Sequence, residues 1–177
     1  AERILLPGVG AFGKAMDELA KRELIEPLRA YAKSGRPFLG ICLGMQLMLD
    51  QSEEFGNQEG LGLIAGKVLP IPNVTASGQP HKIPHIGWSA LMPSSPDRWQ
   101  GSLLQGFAQG DAMYFVHSFG AAAESDQDCL AVADYNGQTI TAAVERDNLT
   151  GIQCHPEKSG PAGLLVLKNF VNFGGPA

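Results

Sequence analysis

Gly40-Ile41-Cys42-Leu43-Gly44 is where residue type and spacing first suggest chemistry in this sequence. The apolar run from Pro37 to Ile41 reads as a short strand, and Leu43 to Asp50 has helical composition. A nucleophile on a sharp strand-to-helix turn projects above the sheet, and flanking glycines remove side chains that would clash there. The helix beginning at Leu43 would aim its free N–H groups and positive dipole end at the sulfur, so a lowered thiol pKa is expected. The Leu43 N–H is also placed to stabilise an oxyanion. Burial as a small hydrophobe is the commoner fate of a free cysteine. It is the expectation for Cys129 and Cys154, which lie in apolar strands without such an elbow.

A thiol nucleophile needs a base, and the base needs an orienting group. Of the four histidines, His155 is the best candidate. It ends a short strand from Gly151 and precedes Pro156-Glu157. Pro156 biases the residue before it toward extended backbone, and positions i and i+2 of an extended segment face the same way. Glu157 can then reach the imidazole and set its tautomer. The alternative for these three residues is an ordinary surface turn. His117 ends the apolar run Tyr114-Phe115-Val116-His117 and is either a core-edge histidine or a substrate contact. His81 and His85 are four apart, but Pro84 between them breaks the helix that would pair them on a metal. No metal or cofactor is expected.

The elements that must hold these residues are an α/β beginning and a second half rich in strands. Ile4 to Leu6 reads as a buried strand, Pro7-Gly8-Val9-Gly10 as a loop, and Ala11 to Ala20 and Glu26 to Ser34 as helices, the second with Pro27 in its first turn and Gly35 as terminator. Glu53 to Gly66 reads as loop. Strands are expected over Lys67–Ile71, Lys82–Ile86 and Met113–Ser118, and a hairpin over Cys129–Tyr135 and Gln138–Glu145 with Asn136-Gly137 as its turn. A closing helix is expected from Pro161 to Phe173. Together these predict one domain, residues 1–177, with a mainly parallel central sheet flanked by helices and additional antiparallel strands.

With 177 residues and a net charge of −5, the chain has no block of Lys and Arg to suggest a nucleic-acid groove. No apolar run approaches the roughly 20 residues needed to span a bilayer. Three widely spaced cysteines argue against a disulfide framework and point to a reducing cytoplasm. The chain opens on Ala1-Glu2-Arg3 without a Met and runs at once into a strand, so it reads as N-terminally incomplete.

Gly40-Ile41-Cys42-Leu43-Gly44-Met45-Gln46 and His155-Pro156-Glu157 resemble the signatures of class I, triad-type glutamine amidotransferases. Leu6-Pro7-Gly8-Val9-Gly10-Ala11-Phe12, Lys82-Ile83-Pro84-His85-Ile86-Gly87-Trp88, Tyr114-Phe115-Val116-His117-Ser118 and Pro156-Glu157-Lys158-Ser159 narrow the likeness to the glutaminase subunits of imidazole glycerol phosphate synthases. The resemblance covers nearly the whole chain. It implies a flavodoxin-like fold in which Cys42 attacks glutamine and forms a thioester, His155 shuttles protons and Glu157 orients it. It implies oxyanion donors at Leu43 and at Val9 or Gly10 in the Pro7–Gly10 loop, where Gly8 and Gly10 permit two backbone states. It implies substrate contacts from Gly8, Gly44, Gln46, Phe115, His117 and Ser118. It implies delivery of ammonia to a (β/α)8-barrel cyclase in a heterodimer, through a docking face that includes Trp88, Tyr114 and Lys158.

Two departures accompany the likeness. Ser89 stands where the family usually has Asn, and a strand-helix-strand segment that family members carry before the Pro-Gly-Val-Gly stretch is absent. Three alternatives stay open on sequence alone: a glutaminase subunit of another class I amidotransferase, another elbow-cysteine hydrolase of similar fold, and a non-catalytic docking fragment of the same fold.

Overall fold

The computed structural model describes residues 1–172. Its first strand β1 (Ile4–Gly8) leads into helices α1 (Phe12–Lys21) and α2 (Ile25–Ala32), then strand β2 (Phe38–Cys42) and the short helix α3 (Leu43–Leu47). Strands β3 (Leu49–Ser52), β4 (Gln58–Glu59), β5 (Ile64–Pro70), β6 (His85–Pro93), β7 (Ala112–His117) and β8 (Phe119–Ala123) follow. The chain ends through β9 (Cys129–Tyr135), β10 (Gln138–Arg146), β11 (Leu149–Ile152) and helix α4 (Gly160–Asn172). Phe173, the expected end of the closing helix, lies outside the described residues.

Among the described residues the larger sheet has the order β1-β2-β11-β10-β9-β6-β7, and a smaller one has the order β4-β3-β5-β8. The architecture is the α/β arrangement expected, with one adjustment. The sheet is mixed rather than mainly parallel: the parallel ladders are β1–β2, β2–β11 and β3–β5, and the others run antiparallel. Parallel pairing is concentrated around β2, all of whose residues are buried, as a strand covered on both faces requires. Successive residues of a strand point to opposite faces. Thus Phe38 packs with Phe12, Leu28, Met45 and Ile64 on one side, and Leu39 with Leu91, Val166 and Phe170 on the other.

The expected hairpin forms: Asn136 and Gly137 both have positive φ, 55° and 81°, as a two-residue primed turn needs. Three expectations change. The helix predicted to run to Asp50 stops at Leu47, because the N–H groups of Leu61 and of Leu63 and Ile64 take the carbonyls of Leu47 and Met48 and turn the chain into β3. Part of the Glu53–Gly66 loop becomes β4 and the start of β5. The strand expected at Lys82 begins at His85, after Pro84, which has no N–H to give a ladder, and runs on to Pro93. Strand β8 (Phe119–Gly120–Ala121–Ala122–Ala123) carried no signal, since Gly and Ala have low strand propensity; pairing with β5 makes it a strand.

Candidate active site

Cys42 is the last residue of β2 and the cap of α3, with φ 54° and ψ −113°. A non-glycine residue held there is strained by roughly 1–3 kcal/mol and persists only where its surroundings enforce it. The surroundings are the two glycines. A Cβ on Gly44 would lie 1.8 Å from the Leu6 carbonyl oxygen of β1, and one on Gly40 would lie 2.7 Å from the Gly44 carbonyl oxygen. The missing Gly44 side chain lets the elbow press against β1, and the missing Gly40 side chain lets the turn fold back onto α3.

The thiol is 7% exposed. Burial pushes its pKa above the ordinary value, against the pull of the Leu43 N–H; nearby Glu157 pushes it further up, and the Gln153 amide pulls it back. The lowering expected from a helix dipole is therefore reversed. A five-residue helix supplies little field, and desolvation of the thiolate outweighs it.

His155 is 4% exposed. Its Nδ1 meets Glu157 Oε1 at 2.6 Å. A carboxylate accepts, so Nδ1 carries the proton and Nε2 presents its lone pair. Among the described residues that buried Nε2 has no hydrogen-bond partner. The backbone is fixed by the Tyr114 carbonyl, which accepts from the His155 N–H at 2.8 Å. Ser159 Oγ ties the same two segments, β7 and the turn after β11: it donates to the His155 carbonyl at 2.5 Å and accepts from the Tyr114 N–H at 2.9 Å.

Cys42 and His155 line one cleft of about 310 Å³ with Val9, Gly10, Leu43, Gln46, Glu54, Val116, His117, Ser118 and Phe119. A second, more apolar cavity of about 240 Å³ lies against Gly8, Val9, His155 and Glu157. Pro7 and Gly8, expected in a loop, are the end of β1, with Gly8 paired to Cys42. The irregular segment is thus Val9, 81% exposed, and Gly10, at φ 97°.

Several expected contacts are redistributed. Phe115 does not line the cleft. It is fully buried, because it shares the inward face of β7 with Met113, and it stacks on His85 with centroids 5.0 Å apart. Gly44 is buried behind the elbow, and Gly8 borders the second cavity. His117 does line the cleft; burial lowers its pKa to about 4. Cys154 is core, its thiol pushed up to about 12 by burial, whereas Cys129 is only half-buried. His81 contacts the Pro72 carbonyl and Asn136.

Val116 lines the cleft within the Phe115–Ser118 stretch expected to hold substrate; sequence reasoning missed Gln153 and Glu54 and gave Ser159 no role. Gln153 was findable, since it stands two residues before His155 in extended chain. Glu54, which accepts from the Phe12 N–H at 2.5 Å, had no local signal. On the outer surface, Trp88 and Tyr114 are cross-strand neighbours with rings edge-on at 6.1 Å, and Lys158 Nζ lies 5.7 Å from the Tyr114 ring centre.

The model of the class-I glutamine amidotransferase family matches residues 1–173, and the chain belongs to that family. Within it, the chain is 48% identical over 174 residues to "Imidazole glycerol phosphate synthase subunit HisH 1" of Legionella pneumophila (strain Lens), covering 98% of this chain and 82% of that one. The HisH subunit of Wolinella succinogenes is 45% identical over 173 residues, with the same coverages. Solved structures share the fold at lower identity. PurLQS from Thermotoga maritima has a TM-score of 0.68 at 24% identity, over 97% of this chain and 79% of that one. A crystal structure of a glutamine amidotransferase has a TM-score of 0.66 at 14% identity, over 99% and 80%.

Proposed function

We propose that this chain is the glutaminase subunit of an imidazole glycerol phosphate synthase, which hydrolyses glutamine to glutamate and ammonia for histidine biosynthesis. One observation carries the reading at the level of chemistry: a strained Cys42 shares a cleft with a histidine whose Nδ1 is held by Glu157 and whose Nε2 is open. Relatives named as HisH subunits, at 45–48% identity, support the pathway.

Because burial favours the neutral thiol, Cys42 rests protonated. His155 Nε2 takes the Cys42 proton as the sulfur attacks the glutamine side-chain carbonyl. The negative oxygen is met by the N–H of Leu43 and by an N–H from the Val9–Gly10 segment. The imidazolium, stabilised by Glu157, returns its proton to the departing nitrogen, releasing ammonia and leaving a γ-glutamyl thioester. Water then attacks the thioester, with His155 again taking the proton, and glutamate leaves with the thiol restored. Gln46, His117 and Ser118 hold the substrate along the cleft wall. The reaction needs no cofactor. Ammonia passes to a (β/α)8-barrel cyclase that docks as the second half of a heterodimer over Trp88, Tyr114 and Lys158. The three free cysteines fit a reducing cytoplasm. Residues 1–177 act here as one glutaminase domain.

The test is a glutaminase assay with and without a cyclase subunit, together with labelling by a glutamine-mimicking electrophile. Labelling at Cys42 and cyclase-dependent glutamate formation are expected. Failure of the electrophile to label Cys42, with no turnover beside the cyclase, would leave only a docking protein.

A further inference from the structure

Gln153 is fully buried, yet its side-chain amide faces the reactive sulfur. Its Nε2 lies 3.6 Å from Cys42 Sγ, and its Oε1 lies 2.9 Å from Gln46 Nε2. Amide ends are distinguished by their partners. Gln46 Nε2 also lies 2.9 Å from the Phe119 carbonyl oxygen, which can only accept. Gln46 therefore presents its NH2 group there and to Gln153, so Gln153 must turn its oxygen to Gln46 and its N–H to the sulfur.

The Phe119 carbonyl is itself held. His117 Nδ1 donates to it at 2.8 Å, which leaves His117 Nε2 as an acceptor. His85 Nδ1 donates to it at 3.1 Å, and Ser89 Oγ then donates to His85 Nε2 at 2.9 Å. One directed chain of hydrogen bonds thus runs inward from β6 to the Phe119 carbonyl, and a second starts at the Gln46 amide, which also donates to that carbonyl, and runs through Gln153 to Cys42.

We propose that Gln153 is a positioning residue for the Cys42 nucleophile: its amide N–H holds the sulfur, and Gln46 and the Phe119 carbonyl dictate which end of the amide does so. The proposal rests on the reading of Cys42 as nucleophile. Its chemistry is simple. A donor aimed at sulfur favours thiolate over thiol and opposes the desolvation that burial imposes. Cleft closure around glutamine removes more water, and a fixed donor keeps its effect where bulk solvent cannot substitute for it. A carboxylate or an apolar side chain of the same length would fill the same space without donating.

The measurement is the pH dependence of Cys42 alkylation in the isolated chain, resolved from Cys129 by peptide mass spectrometry. It compares wild type with Gln153→Met and Gln153→Glu, near-isosteric changes that lack the donor. Glu157 and Lys158, the other charged groups that act on the sulfur, stay in place. The alkylation midpoint should rise by about one pH unit in Gln153→Met, about tenfold slower reaction at a fixed pH below it, and further in Gln153→Glu. Gln153→Glu still accepts from Gln46 and so reports even where Gln153→Met folds poorly. A merely structural Gln153 would shift the melting temperature and leave the midpoint unchanged; unchanged midpoints in folded variants overturn the proposal. Wild-type Cys42 that resists a glutamine-mimicking electrophile, with the cyclase present, takes down the nucleophile reading and this proposal with it.

Discussion

At the scale of residues, the proposed mechanism makes Cys42, His155 and Glu157 act as a unit, so their losses should not add. Cys42→Ala or Cys42→Ser is expected to abolish glutamine hydrolysis while leaving the melting transition in place; retained turnover in Cys42→Ala would refute the assignment. Glu157→Gln should cost less activity than His155→Ala, since in the proposed mechanism Glu157 only orients the imidazole while His155 moves the protons. Steady-state assays of the two variants beside the cyclase give the ranking. His117 makes a separate prediction about stability. It faces His85 on β6 and His155 on the turn after β11, and folding lowers its pKa to about 4 from 6.5. Between those values the unfolded chain binds more protons than the folded one. Stability is therefore full above about pH 6.5 and is lost as the pH falls toward 4. From pH 7 to pH 5 the loss attributable to this group is about 2 kcal/mol at most. His85, also shifted down by burial, acts in the same direction. Urea melts at the two pH values should show a smaller loss for His117→Asn than for wild type.

At the scale of elements, the elbow is held by contact between β1 and α3. Gly44→Ala places a methyl group 1.8 Å from the Leu6 carbonyl oxygen, a backbone atom of a paired strand with no freedom to withdraw. The loss of stability should reach or exceed the upper end of the usual overpacking range, roughly 1–3 kcal/mol. Gly10→Ala tests the neighbouring segment differently. No atom lies within 4 Å of its Cβ, so only the positive φ resists the change, at about 1 kcal/mol. Denaturant midpoints for the two variants should separate clearly, and similar values would show that contact with β1 does not hold the turn.

At the scale of the whole molecule, the two cavities meet at Val9. A peptide at the end of a strand, with space on either side and glycine beside it, can turn either its N–H or its carbonyl toward the cleft. Glutamine hydrolysis is therefore expected to be nearly silent in the isolated chain and to rise about 10²–10³-fold when the cyclase carries its own substrate, the value of one oxyanion donor. Equal turnover of chain alone, chain with cyclase, and chain with loaded cyclase would exclude such a switch. The proposed docking face carries its own expectation. Trp88 is 58% exposed; Trp88→Ala should weaken cyclase binding by about 2 kcal/mol, as loss of an aromatic anchor does, without changing how fast an electrophile labels Cys42. A titration calorimetry series measures the first effect and mass spectrometry the second.

What the sequence by itself determined was local. Glycines around Cys42 specify an elbow because only a missing Cβ fits there. Pro156 keeps His155 extended as expected, although Glu157 then meets the imidazole from a 3-10 turn over Pro156–Lys158 rather than from extended chain, and Asn136-Gly137 specifies a turn through its positive φ. Each is a constraint between near neighbours, and each is visible in residue type. What only the tertiary structure decided was the outcome of competition over distance. Helix α3 ends at Leu47 because backbone from residues 61–64 captures its carbonyls. Strand β8 exists because β5 offers its edge, and Phe115 leaves the cleft because β7 turns that face inward. The Cys42 thiol titrates above its ordinary value because the surrounding layers exclude water, which outweighs the short helix beneath it. Gln153 reaches the sulfur from 111 residues away, and the orientation of its amide is set by a carbonyl on another strand. Burial and long-range pairing depend on the whole chain at once, and no local pattern of residues encodes them.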